Sequence, residues 1–511
     1  MLRSIVAGLA ILMCVSTSAF SAGAGDAART AVDPAIIAEW VLERQGRTDY
    51  ANDDVANARS KLTAAVASPS FTQLSSMEQA NTLSTLGLIQ LSDHDPAALR
   101  TLRLATDINP SAAGYLWHAR LQAGSVAKNY PDVLFTLTTM AQRWPDSVNQ
   151  LPVRFFTNLL VITRADPSLS ESRLQMLLAL RDARWRPASP FLGGDRVWYE
   201  LASDLLDRGR VQEAIVVSRS IQTPTFVEYM LVDKRFDPVI RSDSAHYDFQ
   251  AVIDRNLEQL RKDAAAAPDQ LDGVNVQAFA LIQAGKPEEA LTLLDAALAR
   301  IHDAGATSPF KDMSELIWLM NERATALLHL RRDDEALAQM QAASEIPENG
   351  HRNMSQLGNL AEMYEHLGQP LTALELLRKV DDPVMSPYSR MDIEGVRACA
   401  AAHASDQADL KSALTYIRAH VADAPGWAVD AMVCAAAYDE ASDLLIKELN
   451  DPYERVDALE RYEDIVPPPN YLAQSLDEDN RVRALFSRPD VKAAAEKVGH
   501  RVKLPIYDWT L

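Results

Sequence analysis

The sequence predicts an all-α protein, a solenoid of antiparallel helix pairs. Three observations predict it. Apolar residues recur at helical spacing almost from end to end, in pieces of about 12–16 residues separated by short polar breaks. Sustained alternation of the strand type, closed by Gly-Asn turns, is nearly absent. The breaks themselves recur, as a helix stop followed by a proline or a small residue that starts the next helix.

The chain begins with a targeting pattern. Residues 1–24 carry Arg3, an apolar run from Ile5 to Val15 and a small-residue end at Ala22-Gly23-Ala24, the order of a secretory signal peptide. The run is shorter than the roughly 20 residues a membrane span needs. Met13 before Cys14 departs from a lipoprotein signal, which has a small residue there. The expected location is therefore periplasmic, with no transmembrane segment once the leader is removed. Of three cysteines, Cys399 and Cys434 remain after the leader, both in alanine-rich helical text. A bridge between them and two small buried thiols are both open at this stage.

Composition narrows the partner. With 511 residues, 48% hydrophobic and 23% charged, the chain is globular in type and long enough for several domains or one long solenoid. A net charge of −20 argues against nucleic acid, whose phosphates need a basic face.

From residue 75 onward the helix starts are readable. Pro96, Pro131, Pro287 and Pro370 each fall at a predicted first turn, where a missing N–H costs nothing. An alanine or its substitute follows each turn: Ala98, Val133, Ala214, Ala290, Ala336, Ala373, Ala413 and Ala441. The best-spaced neighbours are 35 and 37 residues apart, Ala98 to Val133 and Ala336 to Ala373. The loop DAGATSPFKDMS accounts for the 46-residue step from Ala290 to Ala336, and the 28-residue step from Ala413 to Ala441 marks a clipped or shifted unit. Small residues at Ala361 and Ala373 would let two helices cross closely, with Gly368 making the turn.

On these residues the chain resembles the tetratricopeptide repeat family of 34-residue helix pairs. The unit at 197–221 carries Trp198, Ala202, Gly209 and Ala214; that at 274–300 carries Ala278, Gly285, Ala290 and Ala297; that at 354–380 carries Leu357, Ala361, Tyr364, Gly368 and Ala373. Leu86 and Leu121 fill small-residue slots and Val133 an alanine slot, so the match is partial, and Pro145 to Phe191 fits poorly. The resemblance implies a right-handed superhelix whose first helices line a concave groove for a protein or peptide. Groove-facing slots would be Asn275, Phe279 and Gln283, then Asn321, Thr325 and His329, then Glu362, Glu365 and His366. No lysine or arginine occupies those slots, which argues against a carboxylate clamp and for a neutral-to-acidic surface.

The expected domains are a leader at 1–24, an array over 27–264, a second array over 265–466 and a C-terminal cap or tail over 467–511. One continuous array with an irregular middle is the alternative. The segment DKRFDPVIRSD (233–243) echoes DNRVRALFSRPD (479–490), and both read as caps for an open hydrophobic end. The tail is locally basic, through Arg481, Arg483, Arg488, Lys492, Lys497, Arg501 and Lys503, and is expected either as a solvated face or lying back on the acidic body.

No HExxH, GxSxG, Walker A or CxxC pattern is present, and neither catalytic residues nor a cofactor or metal is expected. His329 and His366 share a slot in adjacent repeats but show no further ligands in the sequence, and read as surface histidines. The expected function is a non-catalytic interaction scaffold in the cell envelope. The alternatives are a glycan-active helical toroid with two carboxylates, or a homo-oligomeric assembly factor.

Overall fold

A computed structural model describes residues 34–191, 193–305, 307–347, 352–380, 385–466 and 472–507. The expected leader at 1–24 lies outside them. The chain divides into two compact units, one ending at Arg186 and one starting at Pro187. The boundary expected near residue 265 falls inside the second unit, where the helix Phe249–Ala266 packs on the helix Leu271–Gln283.

The first unit contains α1 (Pro34–Ala51), α2 (Val55–Ala67), α3 (Ser76–Ser92), α4 (Ala98–Ile108), α5 (Gly114–Val126), α6 (Tyr130–Arg143), α7 (Pro145–Asn149), α8 (Val153–Arg164) and α9 (Ser170–Asp182). Helices α1 and α2, α3 and α4, and α5 and α6 pack as pairs, and α9 returns onto α6. The stretch that fits the repeat poorly is thus still helical, and its Trp185 is buried against Phe156. Ser75 and Glu78 form a reciprocal capping box at the start of α3. Pro96 falls two residues before α4 rather than in its first turn, because the Asp95 side chain accepts from Ala97 N and its carbonyl from Ala98 N.

The second unit contains α10 (Asp195–Asp207), α11 (Val211–Ser218), α12 (Pro224–Val232), α13 (Asp237–Ser242), α14 (Phe249–Ala266), α15 (Leu271–Gln283), α16 (Pro287–Ala304), α17 (Leu316–His329), α18 (Asp333–Ser344), α19 (Met354–His366), α20 (Pro370–Leu377), α21 (Pro387–His403), α22 (Gln407–His420), α23 (Pro425–Cys434), α24 (Tyr438–Asn450) and α25 (Arg455–Glu460). A tail follows: β1 (Asp464–Val466), α26 (Ala473–Phe486), α27 (Pro489–Val498) and β2 (Lys503–Tyr507). Strands β1 and β2 pair in parallel, which is possible because α26 and α27 supply the crossover between them.

One turn conformation is shared by the pairs. Asp53, His94, Lys128, Gly209, Gly285, Arg331, Gly368, Ser405 and Ala436 all adopt positive φ at the end of a first helix. Each closes the helix with the same two bonds, as where Gly368 N donates to Glu365 O and Gln369 N to Tyr364 O. Only three of these nine turns carry glycine, so the conformation is held by helix-end hydrogen bonds even where a side chain strains it. Counted at this turn, the steps from Gly285 are 46, 37, 37 and 31 residues. The irregularity at Ala413 is therefore a shift of register within α22: Leu410 takes the slot five residues after the turn and Ala413 the next one inward. All eight residues read as post-turn contacts, Ala98 to Ala441, are buried.

Cys399 and Cys434 are joined by a disulfide, with Cα atoms 5.0 Å apart. It links α21 to α23, the first helices of successive pairs.

The second unit closes on itself. Helix α12 packs on α25, and Val232 shares one buried core with Leu459, Phe486 and Val491. His500 N donates to Val232 O at 2.8 Å, Lys234 reaches the Glu496 carbonyl, and His500 Nε2 lies 2.7 Å from Asp237 Oδ1. The first of the two segments expected as caps is thus covered by residues 496–500 rather than by the second, and the tail packs on the body with Lys492, Lys497, Arg501 and Lys503 exposed.

Candidate functional site

The first helices α15, α17 and α19 carry the predicted groove slots. Asn275, Gln283, Thr325, Glu365 and His366 are buried; Phe279, Asn321, His329 and Glu362 are half-buried. Neighbouring first helices are stitched by amides. Asn359 Nδ2 donates to Asn321 Oδ1 at 2.8 Å, and Asn275 Nδ2 donates to Glu315 O at 3.0 Å.

The slots at Glu365 and His366 are covered because α26 packs on α19 and α23. Its contacts toward α19 and α21 are polar, while Leu485 and Phe486 bury in a core with α23. Gln474 Nε2 lies 2.5 Å from His403 Nε2, Glu478 Oε2 lies 3.5 Å from His366 Nε2, and Arg481 Nη1 donates to Cys434 O at 3.5 Å. The reading of His366 as a surface histidine is thereby corrected: it is 9% exposed. A helix from the far end of the chain covers it, which no local pattern signals.

Four groups meet under α26. Glu365 is paired with His403 Nδ1 through Oε1, and its Oε2 lies 3.6 Å from His366 Nε2. Glu478 Oε1 lies 3.8 Å from His403 Nδ1. Burial pulls the His366 imidazole down, but a hydrogen bond to Glu478 and the charges of Glu362, Glu478 and Glu365 override it and raise it to about 9. The Glu365 hydrogen bond likewise raises His403. Sequence reasoning missed His403, although a signal existed. It follows His366 by 37 residues, as His366 follows His329. Glu478 and Gln474 had no such signal. His329 stands outside this cluster.

The groove is acidic beyond the cluster. Burial raises Glu362 to about 8, with Asp392, Glu478 and Glu365 adding to it and His366 opposing it. Burial also raises Asp392 to about 6 and Glu322 to about 7.

Stacked helix pairs, with one positive-φ residue at the turn of each and in most a small buried residue after it, define the architecture. The fold is tetratricopeptide-like. No protein-family model matches the chain, and no curated protein sequence matches it. Among solved structures, the tetratricopeptide-like chain is similar to yeast Tom70 at 10% identity, over 90% of this chain and 99% of that one, with a TM-score of 0.29. It is similar to the TPR domain of P58(IPK) at 13% identity, over 88% and 99%, with a TM-score of 0.18. It is also similar to the APC/C hetero-tetramer Cut9–Hcn1 at 13% identity, over 90% and 96%, with a TM-score of 0.23.

Proposed function

We propose that the protein is a non-catalytic protein-interaction scaffold of the cell envelope, periplasmic, that takes a neutral or basic helical segment of a partner into the groove of its second unit. The observation that carries this reading is that the groove already holds a helix. Helix α26 meets α19 through polar contacts that another side chain can replace, and its far end is anchored by Leu485 and Phe486 in a core shared with α23. Asp392, the most ionised of the groove's raised carboxyls at neutral pH, favours a segment without negative charge, while burial holds Glu362 largely and Glu322 partly protonated. The Cys399–Cys434 disulfide supports an oxidising compartment, in line with the leader read at residues 1–24. No described helix is long and apolar enough to cross a membrane.

The glycan-active toroid would be favoured by two close carboxylates of perturbed acidity in an accessible pocket. Glu228 and Glu463 are such a pair, both raised by burial, but they are 6% and 5% exposed inside the α12–α25 closure, out of a polysaccharide's reach.

The test is gentle cross-linking of the mature chain in envelope extract, against a variant carrying Asn321→Ala, His329→Ala and Glu362→Ala. A synthetic peptide of residues 472–488 serves as competitor. The reading expects a partner captured by the parent, lost from the variant and displaced by the peptide. Equal capture by parent and variant, untouched by the peptide, overturns it.

A further inference from the structure

We propose that Glu365, His366, His403 and Glu478 form a binding site for a divalent transition cation, zinc by its ligand chemistry, and that this site fastens α26 into the groove. Among the described residues, Glu365, His403 and Glu478 are the one group of three such side chains whose ligand atoms all lie within 4.8 Å of one another. His366 adds a fourth donor, with Nε2 3.6 Å from Glu365 Oε2 and 3.5 Å from Glu478 Oε2.

Three of these separations match those between the ligands of one ion. Four donors on a tetrahedral zinc, each at about 2.0–2.1 Å, lie about 3.3 Å from one another. The His366–Glu365, His366–Glu478 and His403–Glu478 separations of 3.6, 3.5 and 3.8 Å are near that edge, whereas Glu365 Oε1 and His403 Nδ1 are in direct hydrogen-bond contact and would part around an ion. One ligand atom of the cluster, Glu478 Oε1, is buried without a hydrogen-bond partner. Buried polar atoms are nearly always satisfied, so an orphan in a mixed imidazole–carboxylate cluster points to a missing ligand. Two imidazoles and two carboxylates are a donor set for zinc rather than for calcium or magnesium, which take oxygen.

The ligands come from three elements: Glu365 and His366 from α19, His403 from α21 and Glu478 from α26. A bound ion would therefore join two successive pairs to the tail. That this regulates access of a partner rests on the groove reading above; the site itself does not.

The test uses the full mature chain with its disulfide intact, stripped by chelator and titrated with cobalt(II) and then zinc. The expected result is one equivalent of cobalt with the intense visible bands of four-coordinate geometry, displaced by zinc. Zinc affinity falls by about tenfold or more in Glu478→Gln and in His403→Gln. It is unchanged in His420→Gln, which alters the exposed His420–Asp423 pair elsewhere. Circular dichroism shows whether each variant is folded, and the parent's stoichiometry and spectrum need no variant. Absence of stoichiometric binding by the parent, or undiminished affinity in folded Glu478→Gln, overturns the proposal and leaves a metal-free ion-pair network. If tail proteolysis slows on zinc addition without loss of partner capture, the site stands and the groove reading fails.

Discussion

A Cβ built on Gly499 would lie 2.1 Å from Leu459 Cδ2. Gly499 has extended backbone and bridges to Asp233, so its requirement for glycine is spatial rather than conformational. Leu459 is fully buried in the core shared by α12, α25 and the tail. This contact sets how tightly the tail closes the second unit.

Gly499→Val is accordingly expected to force the tail away from α25. The loss should be about 1–3 kcal/mol, the usual cost of overpacking a core. Denaturant unfolding measures it, and limited proteolysis should show earlier cleavage after α27. A variant as stable and as resistant as the parent would mean that the closure yields elsewhere.

Removing the disulfide should cost about 2–4 kcal/mol, because the bond closes a loop of 35 residues in the unfolded chain. The comparison is Cys399→Ser with Cys434→Ser against the oxidised parent in urea. Reduction of the parent should reproduce the variant's midpoint.

Ala373 is fully buried where α20 crosses α19. Ala373→Leu should destabilise by about 1–3 kcal/mol, whereas Leu371→Ala on the exposed side of the same helix should change little. Equal effects at the two positions would remove Ala373 from the helix crossing.

The closure should weaken as pH rises from acid to neutral. Burial raises Glu460 to about 8, with the charges of Glu228 and Asp457 adding to it and Arg461 and a hydrogen bond from Tyr229 opposing it. Burial raises Glu228 and Glu463 in the same place. Groups whose folded values lie above their unfolded ones give stability that is complete below the unfolded pKa and lost as pH rises through the folded one. Stability should therefore fall as pH rises from about 4.5 to about 8, by an amount on the order of a few kcal/mol. Glu460→Gln should flatten that dependence; an unchanged slope would place the titrating groups elsewhere.

Much of the repeat was legible because its determinants are local. Helical spacing, prolines in the first turns of α6, α16 and α20, and the buried alanines after the turns each act within a few residues. The left-handed turns at Arg331, Ser405 and Ala436 were not, because hydrogen bonds at the helix end, not glycine, hold them. The groove slots could be numbered from the repeat, yet their exposure could not.

By itself the sequence determined an all-helical chain of stacked pairs, the positions where helices cross and the polar, acidic character of the first-helix slots. Periodicity and small residues express those properties at short range. Only the tertiary structure decided that Cys399 meets Cys434, that the tail returns to Val232, and that Glu478 joins Glu365, His366 and His403. Each of those contacts joins segments far apart in the chain. The cysteines meet across one step between successive pairs, whereas the tail's partners are set by the stacking of all the pairs between them, which no single repeat encodes.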